Sequence, residues 1–124
     1  MMHALVVDDS KAIRAVVGNI LREIGFDVSE AGNGREALDR MRQSRKTDLA
    51  LVDWNMPEMN GYDFLCAVRS DPGYRETPLV MITTETEVEQ MCRALEAGAN
   101  EYLMKPFTRE ALLEKLALLG MVPE

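Results

Sequence analysis

The sequence predicts an α/β domain in which a five-stranded parallel sheet is covered by helices on both faces. Short apolar runs alternate with longer segments whose apolar residues recur at helical spacing, and this pattern occurs five times along the chain. Regular alternation of strands and helices is typical of parallel sheets. The central runs are apolar throughout, which indicates strands buried on both faces. We therefore expect a three-layer, doubly wound domain.

The bulk composition fits one globular domain and narrows the possible partners. The chain has 124 residues, of which 47% are hydrophobic and 28% charged, an ordinary balance for such a domain. The net charge of −7 argues against nucleic acid as a direct partner. We see neither a signal-type segment nor an apolar run near the roughly 20 residues of a membrane helix. We therefore predict a cytoplasmic protein with no membrane insertion.

The first half of the chain contains three predicted strands. They are Ala4–Val7, a weaker and more peripheral strand at Phe26–Ala31, and Leu49–Val52. The first is followed by Asp8-Asp9, and the third ends at Asp53. All three can therefore belong to the parallel sheet, with acidic side chains at the ends of two of them.

Two predicted helices connect these strands. Ser10 is a plausible N-cap of the first, and Gly25 closes it. Its apolar face contains Ile13, Val16, Val17, Ile20, Leu21 and Ile24. Asn33 and Glu36 have the spacing of a capping box and begin the second helix, whose apolar face contains Ala37, Leu38 and Met41. The polar stretch 43–47 is a predicted loop.

The second half repeats the alternation. Asn60-Gly61 opens the third helix, which buries Phe64, Leu65 and Val68. Strand four is Leu79–Ile82, and strand five is Tyr102–Met104. Between them, Thr86 and Glu89 have capping-box spacing, and the helix that follows carries one apolar face of Val88, Met91, Cys92 and Leu95. Thr108 caps the last helix, whose inward stripe is Leu112, Leu116 and Leu119.

Polar side chains follow four of the five strands. Strand one is followed by Asp8 and Asp9, strand three by Asp53, strand four by Thr83-Thr84, and strand five by Lys105. The carboxyl ends of parallel strands lie at one edge of the sheet, so these groups should meet there. Three close carboxylates repel one another unless a cation compensates. An all-oxygen ligand set suits Mg²⁺, which we predict as the cofactor.

The same groups are those that phosphoryl transfer needs. Asp53 can act as a nucleophile towards phosphorus and form an acyl phosphate. Mg²⁺ and Lys105 would neutralise charge on the phosphoryl oxygens, and the Thr83 hydroxyl could donate to one of them.

Six short motifs resemble those of response-regulator receiver domains, and of the single-domain chemotaxis (CheY-like) type in particular. They are Val7-Asp8-Asp9-Ser10, Asp53-Trp54-Asn55-Met56-Pro57, Asn60-Gly61, Ile82-Thr83-Thr84, Ala97-Gly98-Ala99 and Lys105-Pro106-Phe107. Each motif alone is weak, but their order along almost the whole chain is specific. The resemblance implies a flavodoxin-like strand order of 2-1-3-4-5 and one receiver domain over residues 1–124.

The resemblance also implies roles for individual residues. Asp53 would be the phosphoacceptor, held with its phosphoryl group by Lys105 and Thr83. Asp9 would bind Mg²⁺ directly, Asp8 largely through water, and Asn55 through its backbone carbonyl, with Asp53 completing the metal site. Lys105-Pro106 would be a cis peptide bond.

Further implied roles concern switching and partners. Tyr102 matches an aromatic switch position that acts with Thr83, while Asn55 and Glu85 match positions that tune dephosphorylation. The resemblance implies a monomeric signalling protein rather than an enzyme. It would receive its phosphoryl group from the phosphohistidine of a sensor histidine kinase. The fourth helix, fifth strand and fifth helix would bind a downstream protein, such as the flagellar motor switch, or a phosphatase.

Three features accompany this prediction. Thr84 departs from the small residue common at its position and could narrow access to Asp53. Leu113 and Leu118 lie off the inward stripe of the last helix, either as harmless exposed residues or as part of a partner surface. Trp54 should be partly exposed, and the cysteines at 66 and 92, which lack metal spacing, should be buried structural thiols.

Other functions compete with this prediction. The stretch 32–37 reads G-x-G-x-x-A after a strand, with Asp53 about 20 residues on, which is the dinucleotide-binding pattern. However, it follows the second strand, and the chain leaves no room for a substrate domain. A phosphatase of the haloacid-dehalogenase type would need D-x-D on the first strand, where this chain has adjacent Asp8-Asp9. Within the receiver family, a phosphorelay intermediate or a piece of a larger regulator remains an alternative.

Overall fold

The structure, a computed structural model, describes residues 2–43, 46–84 and 88–121. Within these ranges five strands and five helices alternate as predicted. The strands are β1 His3–Val7, β2 Asp27–Ala31, β3 Leu49–Asp53, β4 Leu79–Thr84 and β5 Glu101–Lys105. The helices are α1 Lys11–Glu23, α2 Gly34–Gln43, α3 Gly61–Ser70, α4 Val88–Glu96 and α5 Arg109–Leu118. None of the described helices combines the length and apolar character that crossing a bilayer requires.

The five strands form one parallel sheet in the order β2-β1-β3-β4-β5. This confirms both the predicted fold class and the flavodoxin-like strand order. The two central strands β1 and β3 are buried along their whole length, whereas the edge strand β2 is mostly half-buried. The apolar runs predicted to be central are therefore central, and the weaker run lies at an edge.

Two apolar cores flank the sheet. One core joins the sheet to α1 and α5 through Val17, Leu21, Leu112 and Leu116. The other joins it to α2, α3 and α4, with Phe64 as its largest fully buried side chain. The helices thus cover both faces of the sheet, while the ends of its strands remain uncovered by these two cores.

Side-chain caps begin four of the helices where the sequence placed them. The Ser10, Asn60 and Thr108 side chains accept hydrogen bonds from the backbone N–H three residues later, at 3.3, 2.8 and 3.0 Å. The Asn33 side chain likewise accepts from the Glu36 N–H at 2.8 Å. Each cap satisfies a donor that the first turn of a helix leaves unpaired. The predicted cap at Thr86 lies outside the described residues.

Helix α4 and its surroundings differ from the prediction. Its apolar stripe does not face the sheet, because Val88 is 55% exposed, Leu95 is 40% exposed, and the residue that α4 buries is Ala94. The prediction that both cysteines are buried is also wrong. Cys92 lies on the exposed stripe of α4, and Cys66 on α3 is half-buried. The residue that α4 buries is therefore a small one, and two of its longer apolar side chains are exposed.

The prediction that Trp54 is partly exposed is also wrong, because its side chain is buried and only 6% exposed. Its indole packs against the Tyr62 ring, with 5.1 Å between ring centroids. The Arg93 guanidinium lies over the same pair, 5.9 Å from the Trp54 ring and 4.8 Å from the Tyr62 ring. Contacts from α3 and α4 therefore cover a residue that directly follows a strand end.

Candidate functional site

Three carboxylates meet at the carboxyl edge of the sheet, as predicted. Asp8, Asp9 and Asp53 each offer one oxygen, and these oxygens lie within 4.8 Å of one another. Asp8 and Asp53 are buried, while Asp9 is exposed. Such crowding of like charges is unfavourable unless a cation or protons compensate it. The donor set consists of oxygen alone and has one side open to solvent, which fits Mg²⁺ with its retained waters.

The backbone at Asp53 and Trp54 is held between strand β4 and the start of helix α3. The Trp54 N–H donates to the Ile82 carbonyl of β4 at 2.9 Å, and the Trp54 carbonyl accepts from the Gly61 N–H at 2.9 Å. A Cβ on Gly61 would lie 2.3 Å from the Asp53 carbonyl oxygen, so only glycine fits at the start of α3. The loop that returns from β3 to α3 therefore packs directly against the backbone of Asp53.

Asp8 is held by backbone groups. Its N–H donates to the Ala31 carbonyl at 3.1 Å, and its Oδ1 accepts from the Ser10 N–H at 2.9 Å. The second oxygen, Oδ2, accepts from Lys105 Nζ at 3.0 Å. Both carboxylate oxygens of Asp8 are thus partnered, which fits a group that binds a cation less directly than the exposed Asp9.

Lys105 lies between two of the three acids. Its Nζ is 3.0 Å from Asp8 Oδ2 and 3.5 Å from Asp53 Oδ2. Burial lowers the pKa of Lys105, but the hydrogen bond that Lys105 donates to Asp8 and the charges of Asp53 and Asp8 outweigh it, so the pKa is raised overall. One ammonium charge cannot balance three carboxylates, so the site keeps an excess of negative charge.

Burial raises the pKa of Asp53 from its ordinary 3.8 to about 6, and the nearby charge of Asp8 adds to the rise. Lys105 and a hydrogen bond with the Asn55 backbone oppose this rise without cancelling it. Ionised Asp53 is therefore unfavourable in the metal-free site, and a bound cation would stabilise it. A carboxylate with such a raised pKa in a cluster of acids is typical of functional sites.

The Thr83 hydroxyl supplies a further test of whether the site fits a ligand. Asp53 pairs with Ile82 across β3 and β4, so Thr83 is the next residue of β4 towards the carboxyl edge. Its side chain is buried, and its Oγ1 has no hydrogen-bond partner in the part of the chain that the structure describes. A buried polar group without a partner costs about 1–3 kcal/mol, so an unpaired hydroxyl at the carboxyl edge of the sheet that also carries Asp53 is consistent with a ligand oxygen.

The remaining predicted residues that the structure describes lie in the loop after β3, at the end of β4 and on β5. Asn55 is exposed two residues after Asp53, and Thr84 is the last residue of β4. Tyr102 is half-buried on β5, with the Lys115 ammonium 4.1 Å from its ring centroid. Lys105-Pro106 is a cis peptide bond, as the resemblance implied. Glu85 lies outside the described residues.

The glycine-rich stretch 32–37 contacts the protein instead of forming an open phosphate-binding loop. The Gly34 N–H donates to the Met59 carbonyl at 3.0 Å, and the Asn33 amide donates to Glu58 Oε2 at 2.9 Å. A Cβ on Gly34 would lie 2.9 Å from that carbonyl oxygen and 2.7 Å from the Met59 side chain. The glycine is therefore needed for the approach of α2 to the β3–α3 loop.

Sequence reasoning missed Arg14, whose Nη1 donates to the Asp8 carbonyl at 2.6 Å. It also missed Arg93, which covers Trp54. Neither residue belongs to a motif. Arg14 lies on the polar side of an amphipathic helix, where most arginines are simply solvated. The strand-end pattern could have indicated a carbonyl in need of a donor, but not which residue supplies it.

Known proteins share the fold and much of the sequence of this chain. Residues 4–117 match the family model described as the response regulator receiver domain. The chemotaxis protein CheY1 of Helicobacter pylori is 47% identical over 116 residues, which cover 93% of this chain and 94% of that protein. The chemotaxis protein CheY of Pseudomonas aeruginosa is 42% identical, with 93% of each chain covered. A solved structure of chemotaxis protein CheY4 of Vibrio cholerae superposes with a TM-score of 0.87 at 42% identity, covering 95% of this chain and 98% of that one.

Proposed function

The chain belongs to the response regulator receiver domain family, and from this we propose that Asp53 accepts a phosphoryl group in two-component signalling. The observation that carries the proposal is the arrangement around Asp53. Its buried carboxylate shares the Lys105 ammonium with Asp8. At the same edge of the sheet, the Thr83 hydroxyl has no partner among the described residues. We propose that residues 1–124 act as one receiver domain, which the family match over 4–117 supports.

The proposed reaction is transfer from a phosphohistidine of a sensor histidine kinase. An Asp53 oxygen attacks phosphorus, an O–P bond forms, and the N–P bond to the imidazole breaks. The electron pair of that bond stays on the imidazole nitrogen, which can then take up a proton from solvent. Asp53 must be ionised to attack, and its pKa of about 6 leaves it mostly ionised at neutral pH.

Lys105 and Thr83 would hold the transferred group. Lys105 Nζ is 3.5 Å from the Asp53 carboxylate and can move its hydrogen bond from Asp8 towards a phosphoryl oxygen. The Thr83 hydroxyl would gain a partner that it lacks within the described structure. Both contacts would be new in the phosphorylated form, so they can favour a different arrangement of β4 and the residues after it. Tyr102 is the proposed second member of this switch.

Mg²⁺ would be held by Asp8, Asp9, Asp53 and the Asn55 backbone carbonyl. Its charge would neutralise the phosphoryl oxygens during transfer. Asp9 is the exposed carboxylate. It can bind the ion without breaking a hydrogen bond to another described residue, whereas Asp8 would act largely through water. This division agrees with the two bonds that occupy the oxygens of Asp8.

The proposed output is binding of a downstream protein by the α4–β5–α5 face. The names of the relatives place them in chemotaxis, which supports a target such as the flagellar motor switch, or a phosphatase. The proposed protein is a cytoplasmic monomer that transmits a signal and does not turn over a free substrate. A phosphorelay role would differ in passing the phosphoryl group on to a second histidine.

Two residues are proposed to set the lifetime of the phosphoryl group. Asn55 is exposed beside Asp53, and Glu85 is assigned by resemblance alone. They match the chemotaxis type, and we therefore expect an aspartyl phosphate that is short-lived in Mg²⁺ buffer. Persistence for many hours would contradict this. If Thr84 narrows access to Asp53, Thr84→Ala should speed phosphorylation by a small donor.

The experiment that tests the proposal uses Mg²⁺ and acetyl phosphate as probes. Intact-mass spectrometry should show addition of one phosphoryl group to the wild type, dependent on Mg²⁺. Asp53→Asn should show none, while Asp39→Asn, an exposed acid on α2 paired with Arg42, should behave as the wild type. Equal labelling of the Asp53 variant and the wild type would refute Asp53 as the acceptor.

A further inference from the structure

We propose that Arg14 is a positioning residue that holds the Asp8-Asp9 backbone in the geometry needed to bind the cation. The inference rests on the proposed function, because it concerns the same cation site. It assigns a role to a residue of α1 that touches neither the proposed ion nor the phosphoryl group. The role follows from what the guanidinium joins together.

The Arg14 guanidinium bridges two elements at the carboxyl edge of the sheet. Nη1 donates to the Asp8 carbonyl at 2.6 Å, and Nε donates to Glu30 Oε1 at 3.1 Å. The side chain is only 17% exposed, so both bonds are partly shielded from water. A planar guanidinium with several fixed donors can make these two bonds at once, which a lysine ammonium on a flexible chain does less well.

These bonds close a ring around Asp8. The Asp8 N–H donates to the Ala31 carbonyl at 3.1 Å. Ala31 follows Glu30 in β2, and Glu30 returns through Arg14 to the Asp8 carbonyl. The main chain on both sides of the Asp8 Cα is therefore fixed to the end of β2, by the N–H directly and by the carbonyl through Arg14.

Asp9 depends on this ring more than Asp8 does. The Asp8 carboxylate has its own bonds to the Ser10 N–H and to Lys105. The Asp9 side chain is exposed, and no hydrogen bond or ion pair fixes it within the described residues. The peptide group whose carbonyl Arg14 binds is the one that leads into Asp9. Losing the bond should release the direct ligand rather than the buried one.

A positioning role and a simple charge effect of Arg14 predict opposite changes in Mg²⁺ affinity when Arg14 is replaced. Arg14 is a positive charge near a cation site, so removing it without any movement should strengthen Mg²⁺ binding. Removing a residue that orients a ligand should weaken it, by about 10- to 100-fold where outer contacts of metal ligands have been removed. The sign of the change therefore distinguishes a positioning role from a charge effect.

The chain offers a matched control in Arg22, which is also on α1. Its Nη2 lies 3.9 Å from Glu30 Oε2, and its side chain is 48% exposed. Arg22→Met removes a positive charge beside the same glutamate and leaves the Asp8 carbonyl bond in place. Arg14→Met removes the charge and the bond together, whereas Arg14→Lys keeps the charge and loses the bridging geometry.

The experiment titrates the wild type and the three variants with Mg²⁺ and follows Trp54 fluorescence. Arg14→Met should weaken binding about tenfold or more, and Arg14→Lys should also weaken it. Arg22→Met should stay within about twofold of the wild type, as expected for an exposed pair. Unchanged or tighter binding by Arg14→Met would overturn the inference while leaving the proposed function intact.

Amide hydrogen exchange keeps the inference testable if the wild type itself fails to bind Mg²⁺, a result that would count against the proposed function. In the metal-free protein, Arg14→Met should speed exchange of the Asp8 and Ser10 amides, whose bonds belong to this loop. Amides of the central strand β3 should keep their protection and report any global loss of stability. If the Asp8 and Ser10 amides exchange as in the wild type, Arg14 does not hold the loop.

Discussion

Replacing Asp53 by Asn should stabilise the metal-free protein at neutral and alkaline pH. The folded protein raises the pKa of Asp53 from 3.8 to about 6, chiefly by burial and then by the charge of Asp8. Between these two values the folded state binds the proton more tightly than the unfolded state. The free energy of unfolding therefore falls as pH rises through this window. An asparagine carries no charge and avoids this loss.

The size of the effect follows from the two pKa values. One pKa unit corresponds to about 1.4 kcal/mol, so the loss at pH 8 is about 3 kcal/mol. At pH 4 the folded carboxyl is protonated and the unfolded one is about half ionised, which leaves about 0.5 kcal/mol. Lys105 keeps its 3.0 Å contact with Asp8 in the variant, so the substitution does not leave the ammonium without a partner.

Urea unfolding followed by circular dichroism, in the presence of a chelator, measures this directly. Asp53→Asn should exceed the wild type by about 3 kcal/mol at pH 8 and by much less at pH 4. Asp39→Asn, an exposed acid on α2, should show no such pH-dependent gain. If the variant is no more stable than the wild type at pH 8, or if its gain in stability does not depend on pH, the loss of stability does not come from the Asp53 charge. Adding Mg²⁺ should then favour the wild type, because a ligand stabilises the state that binds it.

Three further substitutions test the rest of the site and the output face. Gly61→Ala should destabilise by about 2 kcal/mol, since its Cβ would meet the Asp53 carbonyl oxygen at 2.3 Å; an unchanged urea midpoint would contradict the packing described. Thr83→Val should leave the stability of the metal-free protein unchanged or slightly higher, because the lost hydroxyl has no partner in the described structure. In intact-mass measurements the variant should still gain a phosphoryl group. Phosphorylation should, however, raise its affinity for the partner less than it does in the wild type. The double change Leu113→Ser, Leu118→Ser should preserve both stability and labelling and weaken partner binding, and unaltered binding would exclude these leucines from the output face.

Much of the fold could be predicted because its determinants are local. The runs Ala4–Val7 and Leu49–Val52 are apolar at every position, and a strand with that pattern has to lie in the middle of the sheet. Ser10, Asn60 and Thr108 each mark a helix start by one side-chain bond. The meeting of Asp8, Asp9 and Asp53 followed from strand direction alone, since parallel strands bring their carboxyl ends together.

What the sequence could not show depends on distant contacts. The strand order came from resemblance, because no local pattern states which strands pair. The sequence pattern places Trp54 in a loop after a strand end, which predicts exposure. Its burial depends on contacts with Tyr62 and Arg93, which lie on two different helices. The Arg14 bond to the Asp8 carbonyl has the same character, since it depends on how α1 lies against the end of β1.

Helix α4 shows why the wrongly predicted elements matter for signalling. Among the described helices it has the fewest buried residues, with Ala94 alone, so less apolar contact opposes its displacement than for its neighbours. It is linked to the residue after Asp53 by Arg93, which stacks over Tyr62 and Trp54, and it follows the strand that carries Thr83. It leaves the apolar side chains of Val88 and Leu95 exposed to water, and a partner would gain by covering them. If Asp53 is phosphorylated as proposed, a small change at Thr83 or Trp54 would therefore act on the described helix with the fewest buried residues, which also exposes apolar side chains to a partner.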